Sequence, residues 1–84
     1  MKNKIVEMYD GIEINSCKDL GDTVEPFWPV EDADFFTLYL HRIGGGVDGI
    51  IDFPTYEEAM KVAKTISEIK GWAIIDNVEM PLEK

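Results

Sequence analysis

The sequence predicts an α+β fold, a small, mostly antiparallel sheet with one α-helix packed on one face. Three observations carry this expectation. Two strand-like runs, Phe35–Arg42 and Val47–Phe53, flank Gly44-Gly45-Gly46. A capping box, Thr55-Tyr56-Glu57-Glu58, follows and opens a run with helical spacing. That run stops at Gly71, before a short apolar stretch at 72–75.

Asp10-Gly11 lies between short apolar runs near the N-terminus and favours the positive φ angles of a tight turn. It predicts a hairpin of residues 5–9 and 12–15 at a sheet edge. Residues 16–34 are rich in Asp, Gly, Pro and Glu, show no period of 2 or 3.6, and hold Pro26 and Pro29. They read as a long acidic loop, with residues 19–22 as one helical turn. A loop of that length in a compact domain is usually functional or mobile.

For the central hairpin, a loop of residues 43–46 sets Arg42 against Val47, Leu40 against Gly49, Leu38 against Ile51 and Phe36 against Phe53. Phe36, Leu38, Leu40, Ile51 and Phe53 then share an apolar face. Thr37, Tyr39, His41, Asp48, Ile50 and Asp52 fall on the other. A slip of one residue would bring Asp into the core, so this register is favoured. In the helix, residues 55–70, Tyr56, Ala59, Met60, Ala63, Ile66 and Ile69 form one stripe that suits the apolar face. The strand after the helix is expected antiparallel beside 35–42, giving the order 47–53, 35–42, 72–76. The tail from Asn77 carries no clear signal.

Eighty-four residues make a single domain, 1–84. A chain this short buries only about 60% of its unfolded surface and is marginally stable alone. With 45% apolar residues it is nevertheless too hydrophobic for disorder. The single cysteine, Cys17, has no second cysteine to pair with. No leader pattern and no apolar run near the ~18 residues of a membrane span is present. A cytoplasmic setting is the simplest expectation.

Charge is the most lopsided property of the chain. Nine carboxylates lie between Glu7 and Asp34 against one base, Lys18, a net of −8 out of −9 for the whole chain. Such asymmetry repels itself and does not help a fold, but it suits a surface that meets something basic. A pI near 4.3 argues against direct binding to nucleic acid or to an anionic membrane.

Chemistry-bearing residues are sparse. The three glycines join two strands, whereas a phosphate cradle joins a strand to a helix. His41 faces Asp48 in the register above, with no nucleophile placed beside it by local spacing. Cys17 lies in the polar, acidic loop, surroundings that oppose a thiolate. Asp19, Asp22, Asp32 and Asp34 are oxygen donors of the kind calcium takes, but their spacing matches no calcium loop. No cofactor is called for, and no constellation argues for an enzyme. Phe27-Trp28, framed by Pro26 and Pro29, either plugs the core or anchors a partner. The candidate contact residues are Asp19, Asp22, Glu25, Phe27, Trp28, Glu31, Asp32 and Asp34.

The stretch Leu38-Tyr39-Leu40-His41-Arg42, with Val47-Asp48-Gly49-Ile50-Ile51-Asp52-Phe53 and Thr55-Tyr56-Glu57-Glu58-Ala59, resembles a pattern of small phage and mobile-element proteins. In these a hairpin leads through F-x-T-x-E-E-A into one helix. The resemblance covers about a third of the chain. Small acidic proteins of that origin include anti-CRISPR and other anti-defence inhibitors, several of which present carboxylates where nucleic-acid phosphates would lie. They share no site motif, so no residue role is carried over.

The leading expectation is a non-enzymatic protein that occupies a basic surface of a partner protein, in its narrower form an inhibitor of a nucleic-acid-handling complex. The alternatives are a structural subunit that dimerises through a sheet edge, and a small-ligand or calcium-binding module.

Overall fold

The computed structural model describes residues 8–78. Among these residues, five strands and one α-helix form an α+β fold, with a mostly antiparallel sheet and the helix against it. The strands are β1 (Tyr9–Asp19), β2 (Val24–Pro26), β3 (Phe35–Arg42), β4 (Val47–Phe53) and β5 (Ala73–Asp76), and the helix α1 is Tyr56–Lys70. The positions along the chain of the two hairpin strands, the helix and the strand after it match the sequence expectation; part of the hairpin register and the neighbour of the last strand do not.

The N-terminal part does not. Tyr9–Asp19 is one continuous strand at the centre of the sheet, not the second arm of an edge hairpin. The first arm expected, 5–9, lies largely outside the described residues. Asp10-Gly11 makes a bulge, a register shift between Tyr9 and Gly11 against β3, and the strand runs on through it. Beyond the bulge Ile12 faces Leu40 and Ile14 faces Leu38. β5 consequently pairs with β1, in parallel and over Gly11–Ile14, instead of with β3. It keeps the direction expected of it, but β1 occupies the place beside β3. The apolar pair Ile12 and Ile14 explains why: both are fully buried, and a central strand buries them better than an edge would.

Residues 16–34 are likewise more ordered than a loop. Ser16 to Asp19 belong to β1, and β2 pairs antiparallel with them, Lys18 facing Glu25. Residues 20–23 are the hairpin connection, closed by the Leu20 N–H donating to the Thr23 carbonyl at 2.9 Å; they form no helical turn. Pro26 sits on the sheet edge, where a missing N–H is tolerated. A 3-10 turn, Val30–Asp32, follows, and Val30 and Ala33 pack against the core.

The core is Ile12, Ile14, Phe36, Leu38, Ala59 and Ala63, with Leu40, Phe53, Tyr56, Met60 and Ile66 around it. Two fully buried alanines let α1 lie close on the sheet. Thr55 caps the helix by accepting from the Glu58 N–H at 3.2 Å, and Gly71 ends it at φ 77° with its N–H on Ser67. Ile51, expected in the core opposite Leu38, does face it but is 43% exposed and lies outside the core cluster.

The hairpin register holds for Phe36–Phe53 and Leu38–Ile51, then shifts. Tyr39 faces Gly49, Leu40 faces Asp48 and His41 faces Val47, because Ile50 is accommodated as an extra residue. Side chains alternate along a strand, so this one-residue slip moves Asp48 from the His41 face to the Leu40 face. Asp48 there accepts from the Tyr9 hydroxyl at 2.8 Å and pairs with Arg42 at 3.0 Å. His41 instead meets Asp10, at 2.7 Å.

Candidate functional site

The eight residues singled out in the sequence gather around one end of the sheet, carried by the β1–β2 hairpin and the segment that returns from it to β3. Asp19 and Asp34 frame this end. The Asp34 carboxylate accepts from the Asp19 N–H at 2.9 Å, and the Asp34 N–H donates to the Cys17 carbonyl at 2.8 Å. The Asp19 carboxylate accepts from the Gly21 N–H at 2.9 Å and holds the hairpin bend. Asp19 and Asp34 therefore build the end as well as charge it. Asp22, Glu25, Glu31 and Asp32 are exposed. Lys18 lies 3.8 Å from Asp34, so the base of this region is already engaged by one of its carboxylates.

Phe27 and Trp28 part company. Trp28 is half-buried, its backbone N–H donates to the Ser16 carbonyl at 3.2 Å, and its backbone carbonyl accepts from the Ser16 hydroxyl. The Lys18 ammonium lies 5.8 Å from its ring centre, a cation–π distance. Phe27 is 69% exposed and adopts φ 67°, the one non-glycine residue with positive φ among those described. The alternatives left open by the sequence thus divide between neighbours: Trp28 braces the structure, and Phe27 projects from it.

A cleft of about 390 Å³ opens beside them, lined by Phe27, Trp28, Asp76, Asn77 and Val78. The last three follow from the way β5 ends beside β1. The Asn77 N–H donates to the Ile14 carbonyl at 2.9 Å, and its side-chain amide donates to Glu13 at 3.2 Å. The Asp76 carboxylate accepts from the Tyr56 hydroxyl and from the Val78 N–H, the latter at 3.0 Å. Burial, and then the bond to Asp76, push the Tyr56 hydroxyl up to about 12. Sequence reasoning missed Asp76 and Asn77. They lie some fifty residues beyond Phe27, and no spacing rule links the two segments.

The remaining candidates lie elsewhere in the fold. Cys17 is not in a polar loop but fully buried in β1, its sulfur 3.4 Å from the Thr37 hydroxyl and 3.5 Å from the Tyr39 hydroxyl. Burial, reinforced by Cys17, raises the Tyr39 hydroxyl well above its ordinary value. His41 pairs with Asp10 instead of the expected Asp48. The glycine loop is a plain hairpin connection, with positive φ at Gly45 and Gly46. Among the described residues no three His, Cys, Asp or Glu side chains converge as metal ligands, which leaves the Asp19, Asp22, Asp32 and Asp34 set without a coordination geometry. No helix among them is long and apolar enough to cross a membrane. Compared with known protein families, curated proteins and solved structures, the chain matches none.

Proposed function

We propose that this protein is a non-enzymatic binding protein that docks its acidic end on a basic surface of a partner protein. Phe27 carries the reading. A bulky residue at positive φ costs about 1–3 kcal/mol, and such strain persists where surrounding structure holds it for a purpose. Here it falls on an aromatic residue that is 69% exposed, in a segment that also carries Glu25, Glu31 and Asp32. An aromatic anchor inside a charged rim is the usual build of a contact hot spot. Glu25, Glu31 and Asp32 supply the rim and speed encounter with a basic surface.

The narrower form of this reading is inhibition, with the carboxylates standing where nucleic-acid phosphates would lie on a nucleic-acid-handling complex. The chain's charge supports it, −9 overall and concentrated before Asp34. Dimerisation through the sheet edge is less well supported. β4 carries a bulge at Ile50 together with Asp48 and Asp52, devices that oppose strand-to-strand pairing.

The test is affinity capture with the wild-type chain beside a Glu25→Lys, Glu31→Lys, Asp32→Lys variant and a Phe27→Ala variant. A basic partner should be captured by the wild type, released by salt, and lost from both variants. Displacement of that partner by added nucleic acid identifies the inhibitory form. Identical capture by the charge-reversed chain would overturn the reading.

A further inference from the structure

We propose that the cleft between Phe27 and Asp76 is a socket for one arginine side chain of the partner. This rests on the docking reading above and names the chemistry that the contact selects. The cleft, about 390 Å³, falls within the range of small-molecule sites and can admit one long side chain. Its lining combines two aromatic residues, a carboxylate and a side-chain amide.

Each part suits a guanidinium. The hydrogen bonds that orient the Asp76 carboxylate come from the Tyr56 hydroxyl and the Val78 N–H, both neutral, so they aim it without cancelling its charge. A planar guanidinium both pairs with a carboxylate and stacks on aromatic rings, which a compact ammonium does less well. Asn77 spends its amide nitrogen on Glu13, and the amide oxygen remains as a further acceptor. Trp28 already carries the Lys18 ammonium 5.8 Å from its ring centre, and Lys18 is itself balanced by Asp34. The strained backbone of Phe27 sets the second ring at the cleft wall. None of the described residues of the lining is cationic, and the acidic end around it raises the local concentration of cations.

The probe is N-acetyl-arginine methylamide, with its citrulline counterpart as the neutral isostere, titrated into the isotope-labelled full chain. The readouts are the Trp28 indole N–H and the Asn77 side-chain amide in NMR spectra, with the Trp72 indole as internal reference. Expected are saturable shifts at Trp28 and Asn77 with a Kd of about 1–10 mM, the weak range of a single side chain. Citrulline should bind at least tenfold more weakly, and Asp76→Asn should weaken the arginine probe by a similar factor. Asparagine can still accept from Tyr56, so this variant keeps the local brace. Phe27→Ala, at an exposed position, supplies a second variant and should weaken binding several-fold. Equal shifts with arginine and citrulline, equal shifts at Trp72, or full binding by Asp76→Asn would overturn the socket. The two proposals fail separately. A probe that does not bind, with charge-dependent partner capture intact, removes the socket alone. A probe that binds, with capture indifferent to charge reversal, removes the docking reading alone.

Discussion

Tyr56, the first residue of α1, donates its hydroxyl hydrogen to Asp76, the last residue of β5. The bond joins the two ends of the helix-to-strand crossover, and the Tyr56 ring also packs edge-on against Phe36 with centroids 6.2 Å apart. One side chain therefore ties the core to the carboxylate that lines the cleft.

This bond has a pH signature. The Tyr56 hydroxyl is raised from an ordinary value of 10 to about 12. A group raised on folding contributes stability that is fully present below its unfolded pKa and lost as pH rises through the folded one. The contribution should hold below pH 10 and vanish toward pH 12. Tyr56→Phe should cost about 1 kcal/mol at neutral pH. The difference in urea midpoint between it and wild type should close across that alkaline window. A difference that stays constant to the alkaline limit would show that the hydroxyl contributes only through packing.

Asp48 supplies the acid counterpart. The Tyr9 hydroxyl first, and Arg42 second, hold its carboxyl below the usual carboxylate range. A depressed carboxyl contributes stability present above its unfolded pKa, near 4, and lost as pH falls through the folded value. Asp48→Asn should lower the melting temperature at pH 7 and approach wild type below about pH 4. A gap of the same size at pH 7 and pH 3 would contradict the assignment.

Leu38 is fully buried between Ile14 on β1 and Ile51 on β4. Leu38→Ala should cost about 2–5 kcal/mol in chemical denaturation, a large share of what so short a chain has. Leu38→Asp should not fold, because it buries a charge without a partner. Native circular dichroism from that variant would place the core elsewhere.

Phe27 and Trp28 should respond in opposite ways. Phe27→Gly relieves a positive φ at an exposed site, so stability should hold or rise by up to about 1 kcal/mol while partner capture is lost. Trp28→Ala removes a half-buried ring beside Lys18 and should lower the melting temperature. A destabilised Phe27→Gly would mean that the ring packs on the fold and does not project from it.

Local chemistry was legible in the sequence. The capping box at Thr55, the αL stop at Gly71 and the pairing of Leu38 with Ile51 depend on residues near each other along the chain, and the α+β class follows from them. The acidic concentration before Asp34 was equally plain, since charge is a property of composition. The bulges were the first thing to mislead. Gly11 and Gly49 each stand within or beside an extra residue, and glycine signals a bulge as readily as a turn. Read as a turn, Asp10-Gly11 hid the central strand. Only the tertiary structure decided which strand holds the middle of the sheet, because strand pairing is a long-range competition for buried area in which Ile12 and Ile14 outweigh a local turn preference. It also decided the site. Phe27 and Asp76 come to line one cleft because β1 binds β2 along one half of an edge and β5 along the other half of that same edge. Hydrogen bonds between distant backbones set that arrangement, and no periodicity in the chain records it.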